Sequence, residues 1–116
     1  MTATYYMIMD MVFVCIPPDN STANFDDFTD KFMDELGNLE DADPGIVDPD
    51  LTASLTNLTA SVYMGVKADS RRDAERLFVA HVRTALHAAG CYTPNWPFRP
   101  VSENLPKPRE VDHAAA

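Results

Sequence analysis

The apolar residues of this chain alternate between the two-residue period of a strand and the roughly 3.6-residue period of a helix. The order is strand, helix, strand, strand, helix, weak strand, and few architectures accept it. The first element, residues 4–16, constrains the fold most. Its odd positions Tyr5, Met7, Met9, Met11, Phe13 and Cys15 form an unbroken apolar face. Its even positions Tyr6, Ile8, Val12, Val14 and Ile16 form a second one, interrupted by Asp10. A strand apolar on both sides belongs in the middle of a sheet. The run Pro17-Pro18-Asp19-Asn20-Ser21-Thr22 then ends it, because proline cannot donate to a ladder and its neighbours favour turns.

Asn24 is the expected cap of the first helix, with Asp26 and Asp27 at the positive end of its dipole. Phe25, Phe28, Phe32, Leu36 and Leu39 recur at helical steps and share one stripe, opposite Asp27, Asp30, Lys31, Asp34 and Glu35. Gly37 weakens the last turn, and the proline-rich, acidic residues 40–49 read as an exposed loop. Two strands follow. Leu51, Ala53 and Leu55 alternate with Thr52, Ser54 and Thr56; after a turn near Asn57, Leu58, Ala60, Val62, Met64, Val66 and Ala68 alternate with Thr59, Ser61, Tyr63, Gly65 and Lys67. Ser70 with Asp73 resembles a capping box and opens a second helix. Its buried stripe is expected to be Ala74, Leu77, Phe78, His81, Val82, Ala85, Leu86 and Ala89, and Gly90 ends it. Residues 91–93 read as a short edge strand, interrupted by Pro94, Pro97 and Pro100.

These elements assemble as an α+β fold, a ferredoxin-like split βαβ sandwich of order β-α-β-β-α-β. Its antiparallel sheet runs fourth, first, third, second, with both helices on one face. A chain of 116 residues has room for one such domain, expected over residues 1–101. Residues 102–116 read as a flexible tail, with Trp96 and Phe98 anchoring the segment before it.

Charge narrows the partners. Residues 10–50 hold twelve Asp or Glu against Lys31 alone, whereas residues 67–109 hold eight Lys or Arg against four acids. A net charge of −9 argues against nucleic acid and favours a basic protein. The first apolar run carries Asp10 and meets Pro17 too soon to span a bilayer, so no signal peptide or membrane helix is read and the expected location is cytoplasmic. Cys15 and Cys91 are too few for a disulfide framework, and the proposed strand order brings them near each other as two packed thiols.

Two surfaces are candidates for binding. The sheet face opposite the helices presents Tyr6, Ile8, Asp10, Val12 and Val14 with Tyr63, rimmed by Thr52, Ser54, Thr59 and Ser61, an apolar centre with a polar border. The acidic side is represented by Asp30, Asp34, Glu35, Glu40 and Asp41. Some of these carboxylates are expected to pair with Arg72, Arg76 or Arg83 across the helix seam, leaving the rest to steer a basic partner. Chemistry is sparse: His81, His87 and His113 lack metal-ligand spacing, and no phosphate loop or nucleophile elbow occurs. Neither an enzyme nor a cofactor is expected. The reading is a small acidic interaction or regulatory protein that binds itself as a homodimer or a basic protein. A small-ligand module at a dimer interface, with Asp10 and Tyr63 as polar contacts, is one alternative, and an acidic mimic of nucleic acid is another.

The stretch Ala85-Leu86-His87-Ala88-Ala89-Gly90, followed by Thr93-Pro94-Asn95-Trp96-Pro97, resembles the C-terminal part of small uncharacterised proteins of actinobacteria and their phages. It covers about a tenth of the chain. The resemblance implies a cytoplasmic, phage-encoded accessory protein and brings no catalytic residues with it.

Overall fold

The computed structural model describes residues 2–15, 22–91, 98–101 and 104–111. In chain order they form β1 (Ala3–Cys15), α1 (Thr22–Ala42), β2 (Ile46–Ser54), β3 (Thr59–Ala68), α2 (Arg71–Ala88), β4 (Phe98–Pro100) and β5 (Arg109–Glu110). The fold is α+β, an antiparallel sheet of five strands with two helices. The strands run β2-β3-β1-β4, and β5 also pairs with β1. The seven-element order β-α-β-β-α-β-β therefore departs from the simple six-element pattern.

The doubly apolar first segment lies inside the sheet. On one edge β1 pairs with β3 from Ala3↔Ala68 to Val12↔Thr59; on the other it meets β5 at Met7 and Ile8, and β4 at Phe13, Val14 and Cys15. Its odd side chains Met7, Met9, Met11 and Phe13 are buried beneath the helices with Ala60, Val62, Met64 and Val66 of β3. Flexible methionines fill the irregular space between a twisted sheet and two helices. Phe25, Phe28, Phe32 and Leu36 of α1 and Ala74, Phe78, Val82, Ala85 and Leu86 of α2 close the other side of the same core. One end of it is aromatic: Phe28 lies 5.3 Å from Phe13, 5.9 Å from Phe25, 6.1 Å from Phe32 and 5.8 Å from Phe98 by ring centroid.

The cap of α2 forms as expected, with the Asp73 amide donating to Ser70 Oγ at 3.1 Å. At its other end Gly90 adopts φ 105, and the Cys91 amide reaches back to the Leu86 carbonyl, a left-handed termination. Leu77 is 40% exposed rather than buried. It lies about 100° round the helix from Phe78, outside the arc that meets the core.

Several boundaries differ from expectation. Asn24 lies inside α1 and does not cap it. The helix passes Gly37 and runs to Ala42, so residues 40–49 are not one exposed loop. A tight turn follows, in which the Gly45 amide donates to Asp43 Oδ1 at 2.8 Å, and β2 begins at Ile46. Pro49 is tolerated in β2 because the strand is an edge with a register shift between Val47 and Asp50. At that bulge Asp48 takes φ 49 and its amide donates to Glu40 Oε2 at 3.0 Å. In the β2–β3 turn the left-handed position falls on Leu58, φ 53, not on Asn57. Leu58 packs against the core, and its carbonyl accepts the Phe13 amide at 2.8 Å.

The last strands differ most. At this end of β1 the described ladder partner is Phe98–Pro100; Cys91 sits in the turn after α2, and residues 92–97, with Trp96 and most of the expected edge strand, lie outside the described residues. Phe98 does anchor its segment, 1% exposed and 5.3 Å from Phe25 by ring centroid. Within the stretch expected to trail as a flexible tail, the described residues 104–111 return to the sheet: Leu105 packs against the core, Pro108 is buried, and the Val111 amide donates to the Tyr6 carbonyl at 2.8 Å.

Candidate interaction surface

Strand register decides which side chains share the face opposite the helices. Residues directly opposite one another in a ladder project to the same side. The pairs Ile8↔Tyr63 and Tyr63↔Asp50 make one row, extended by Arg109 opposite Ile8. Asp10, Ser61 and Thr52 make the next, and Val12, Thr59 and Ser54 the third. Val14 with Arg99 completes the face at the β4 end. Tyr6, Ile8, Asp10, Val12 and Tyr63 are thus brought together as expected, while Asp50, Arg99 and Arg109 join them from segments whose patterning was too short or too broken to read.

The face has two apolar parts and a polar bridge. At one end Tyr6 and Tyr63 stack with centroids 6.1 Å apart and planes 18° from parallel. Gly65 permits this. A methyl group there would meet the Tyr6 ring at 2.8 Å, so only glycine lets the ring lie over the strand. Burial first, then the neighbouring Tyr6 and Asp48, pushes the Tyr63 phenol above its ordinary range. At the other end Val12 is 54% exposed, Val14 37% and the adjoining Val101 59%.

Asp10 joins the two parts and is not an isolated charge. Its Oδ1 accepts from Ser61 Oγ at 2.5 Å and its Oδ2 from Arg109 at 3.0 Å. The Ser61 hydrogen bond foremost holds its carboxyl below the usual range; burial opposes it, and Arg109 adds a further lowering. Ser61 and Arg109 are its partners.

The acidic side chains lie along α1 and on β2. Asp26, Asp27, Asp30, Asp34 and Asp41 are exposed along α1, Glu35 is partly so, and Asp48 and Asp50 continue the charge on the edge strand beside that helix. Glu40 has a structural role through the Asp48 amide. The expected seam pairs do not form: among the described residues no ion pair joins Asp30, Asp34 or Glu35 to Arg72, Arg76 or Arg83. Instead Arg71, Asp73, Glu75 and Arg76 of α2 pair locally and with the returning C-terminal segment, through Arg71–Glu75, Arg76–Asp73, Arg71–Glu110 and Lys107–Glu75. The apolar stripes of the two helices both belong to the buried core.

The reactive side chains are quiet. Cys91 is buried, its thiol lies 3.5 Å from the Phe98 carbonyl, and burial pushes it up to about 12. Phe98 is also the ladder partner of Cys15, whose side chain lies outside the described residues. His81 is half-buried against the core, and burial lowers its pKa despite Asp43 at 3.7 Å. Among the described residues no cluster of His, Cys, Asp or Glu could hold a metal ion, and no helix is long and apolar enough to cross a membrane.

No protein family, curated protein or solved structure matches the chain. The face and the flank are therefore interpreted from their own chemistry.

Proposed function

We propose that the protein is a small non-enzymatic interaction module on a split βαβ scaffold of the ferredoxin-like kind, and that its open sheet face pairs with a second copy. The observation that carries this reading is the exposed valine cluster Val12, Val14 and Val101 on a face whose charges are self-complementary. Asp50 stands at the β2 edge and Arg109 at the opposite edge of the same row. A two-fold axis parallel to the strands sets Asp50 of one copy over Arg109 of the other, so an isologous contact meets opposite charges despite the net −9. Aligned sheets of this kind pack about 10 Å apart through interdigitating side chains.

The test is sedentation by analytical ultracentrifugation across a concentration series, comparing wild type with Val12→Asp/Val14→Asp. The expected result is a wild-type dimer and a folded monomeric variant. A wild type that stays monomeric at about 100 μM, where a contact with a micromolar dissociation constant would be saturated, overturns the reading.

The acidic flank supports a second contact, to a basic protein, since seven exposed aspartates on α1 and β2 face solvent with only Lys31 among them. Surface carboxylates act mainly on encounter rate, so association with such a partner should slow as salt rises toward a Debye length of about 8 Å. Proteins of an actinobacterial or phage host are the ones to screen. A rate independent of salt removes the steering role.

A further inference from the structure

On the helix side of the molecule, away from the open sheet face, the returning segment leaves a groove of about 390 Å³ against α2. Its floor is apolar: Val79 and Ala80 from the helix, Leu105 and Pro108 from the segment. Around it stand three cations, Arg76, Arg83 and Lys107, and one carboxylate, Glu75. The spacing of Arg76, Val79, Ala80 and Arg83 is that of neighbouring positions on one helical face, so a strip of two small apolar residues runs between two guanidinium groups. Pro108 stiffens the facing wall and removes an amide that would otherwise seek a partner.

The charges do not cancel. Glu75 is already engaged by Arg71 at 3.4 Å and by Lys107 at 3.7 Å. Arg76 has Asp73 at 3.4 Å. Arg83 makes no ion pair among the described residues, although the chain carries twice as many acids as bases. An excess of positive charge is thus kept beside an apolar floor in an otherwise acidic protein.

We propose that this groove binds a small organic anion with an apolar body, its oxyanion head between Arg83 and Lys107 and its alkyl or aromatic part on Val79, Ala80 and Leu105. Guanidinium forks match carboxylate and phosphate heads, and a volume of this size lies at the lower end of ordinary ligand sites. The inference is independent of pairing through the sheet face, because the groove lies on the opposite side.

The test uses the full chain with decanoate and decyl phosphate as probes, followed by calorimetry and by amide chemical shifts. Decanol and inorganic phosphate serve as tail-only and head-only controls. Both amphiphiles should bind and shift the amides of residues 76–83, Leu105 and Lys107, each control binding at least about tenfold more weakly, since each lacks one half of the recognition. Arg83→Gln with Lys107→Gln should weaken both amphiphiles by about tenfold or more, the scale of a lost charge-assisted contact. Ala80→Phe, at an exposed helix position, should fill the groove and block binding without unfolding the chain. Lys67→Gln, at an exposed position outside the groove, should leave affinity unchanged. Stronger binding of decyl phosphate than decanoate would identify phosphate as the preferred head, and the reverse carboxylate. The proposal is overturned by no binding at about 1 mM, by affinities retained in both groove variants, or by shifts confined to the sheet face.

Discussion

Replacing Phe98 with alanine tests whether the short fourth strand is part of the core or an attachment to its edge. The ring is 1% exposed and lies 5.3 Å from Phe25 and 5.8 Å from Phe28 by centroid. Truncating a phenylalanine so enclosed costs about 3–5 kcal/mol, combining lost transfer energy with an unfilled cavity. The aromatic end of the core is held by α1 and the sheet together, so collapse around the gap is restricted and we expect about 4 kcal/mol. For a chain of 116 residues the unfolding entropy is about 0.24 kcal/mol/K, which converts this loss to a Tm lower by about 16 °C. Calorimetry of wild type and Phe98→Ala reads the shift, and Phe98→Leu, which keeps most of the volume, should lose less than half as much. Residues 98–100 form only three ladder positions, so a peripheral strand of that length would shift Tm by a few degrees at most. A drop of about 4 °C or less in Phe98→Ala refutes the placement of this ring in the core.

Other perturbations follow from the same contacts. Asp10→Asn removes an acid whose folded pKa lies below the ordinary 3.8, so its contribution is complete above that value and fades as pH falls through the lower folded one. Because the side chain is 58% exposed, the wild-type advantage in urea denaturation should be no more than about 1 kcal/mol at pH 7 and vanish in strong acid; an advantage that grows below pH 3.8 contradicts the assignment. His81 has a folded pKa below 6.5, so the unfolded chain takes up its proton first and stability falls as pH drops below 6.5, levelling off beneath the folded value. His81→Gln should flatten that part of the stability profile, and an unchanged slope counts against it. Gly65→Ala places a methyl group against the Tyr6 ring and should cost about 1–3 kcal/mol by overpacking, with loss of Tyr6–Tyr63 nuclear Overhauser contacts. Unaltered contacts and stability would mean that the ring does not depend on the glycine.

The parts of the fold legible from residues are those whose signal is local and repeated. The odd positions of β1 carry an unbroken apolar face, and the phenylalanine stripe of α1 and the Ser70 cap of α2 each declare themselves within one turn or a few. Fragments with two or three ladder positions have no period to detect. The pairing of Arg109 and Glu110 with β1, and of Phe98–Pro100 farther along it, depends on where the chain returns after α2. Proline in those segments argued for loop, yet proline is compatible with edge pairing when its missing amide is not required by the ladder. The same blindness hid part of the candidate surface: Tyr6, Ile8, Val12 and Tyr63 share a face by parity alone, whereas Arg109 reaches Asp10 across 99 positions of sequence.

Composition and periodicity by themselves settled that this chain makes an interior strand, two amphipathic helices and a hairpin, because each buries a stripe of apolar side chains that its own spacing creates. They also determined the concentration of acid in the first half. Tertiary structure alone decided where those charges find partners, turning Arg71 and Arg76 of α2 toward Glu75, Asp73 and Glu110 and leaving the α1 aspartates in solvent. It alone closed the edge of β1 with two separated fragments and built the groove beside α2. The physical reason is range: a hydrophobic stripe is a property of neighbours along the chain, whereas an ion pair or a ladder between distant fragments exists only after the core has brought them together.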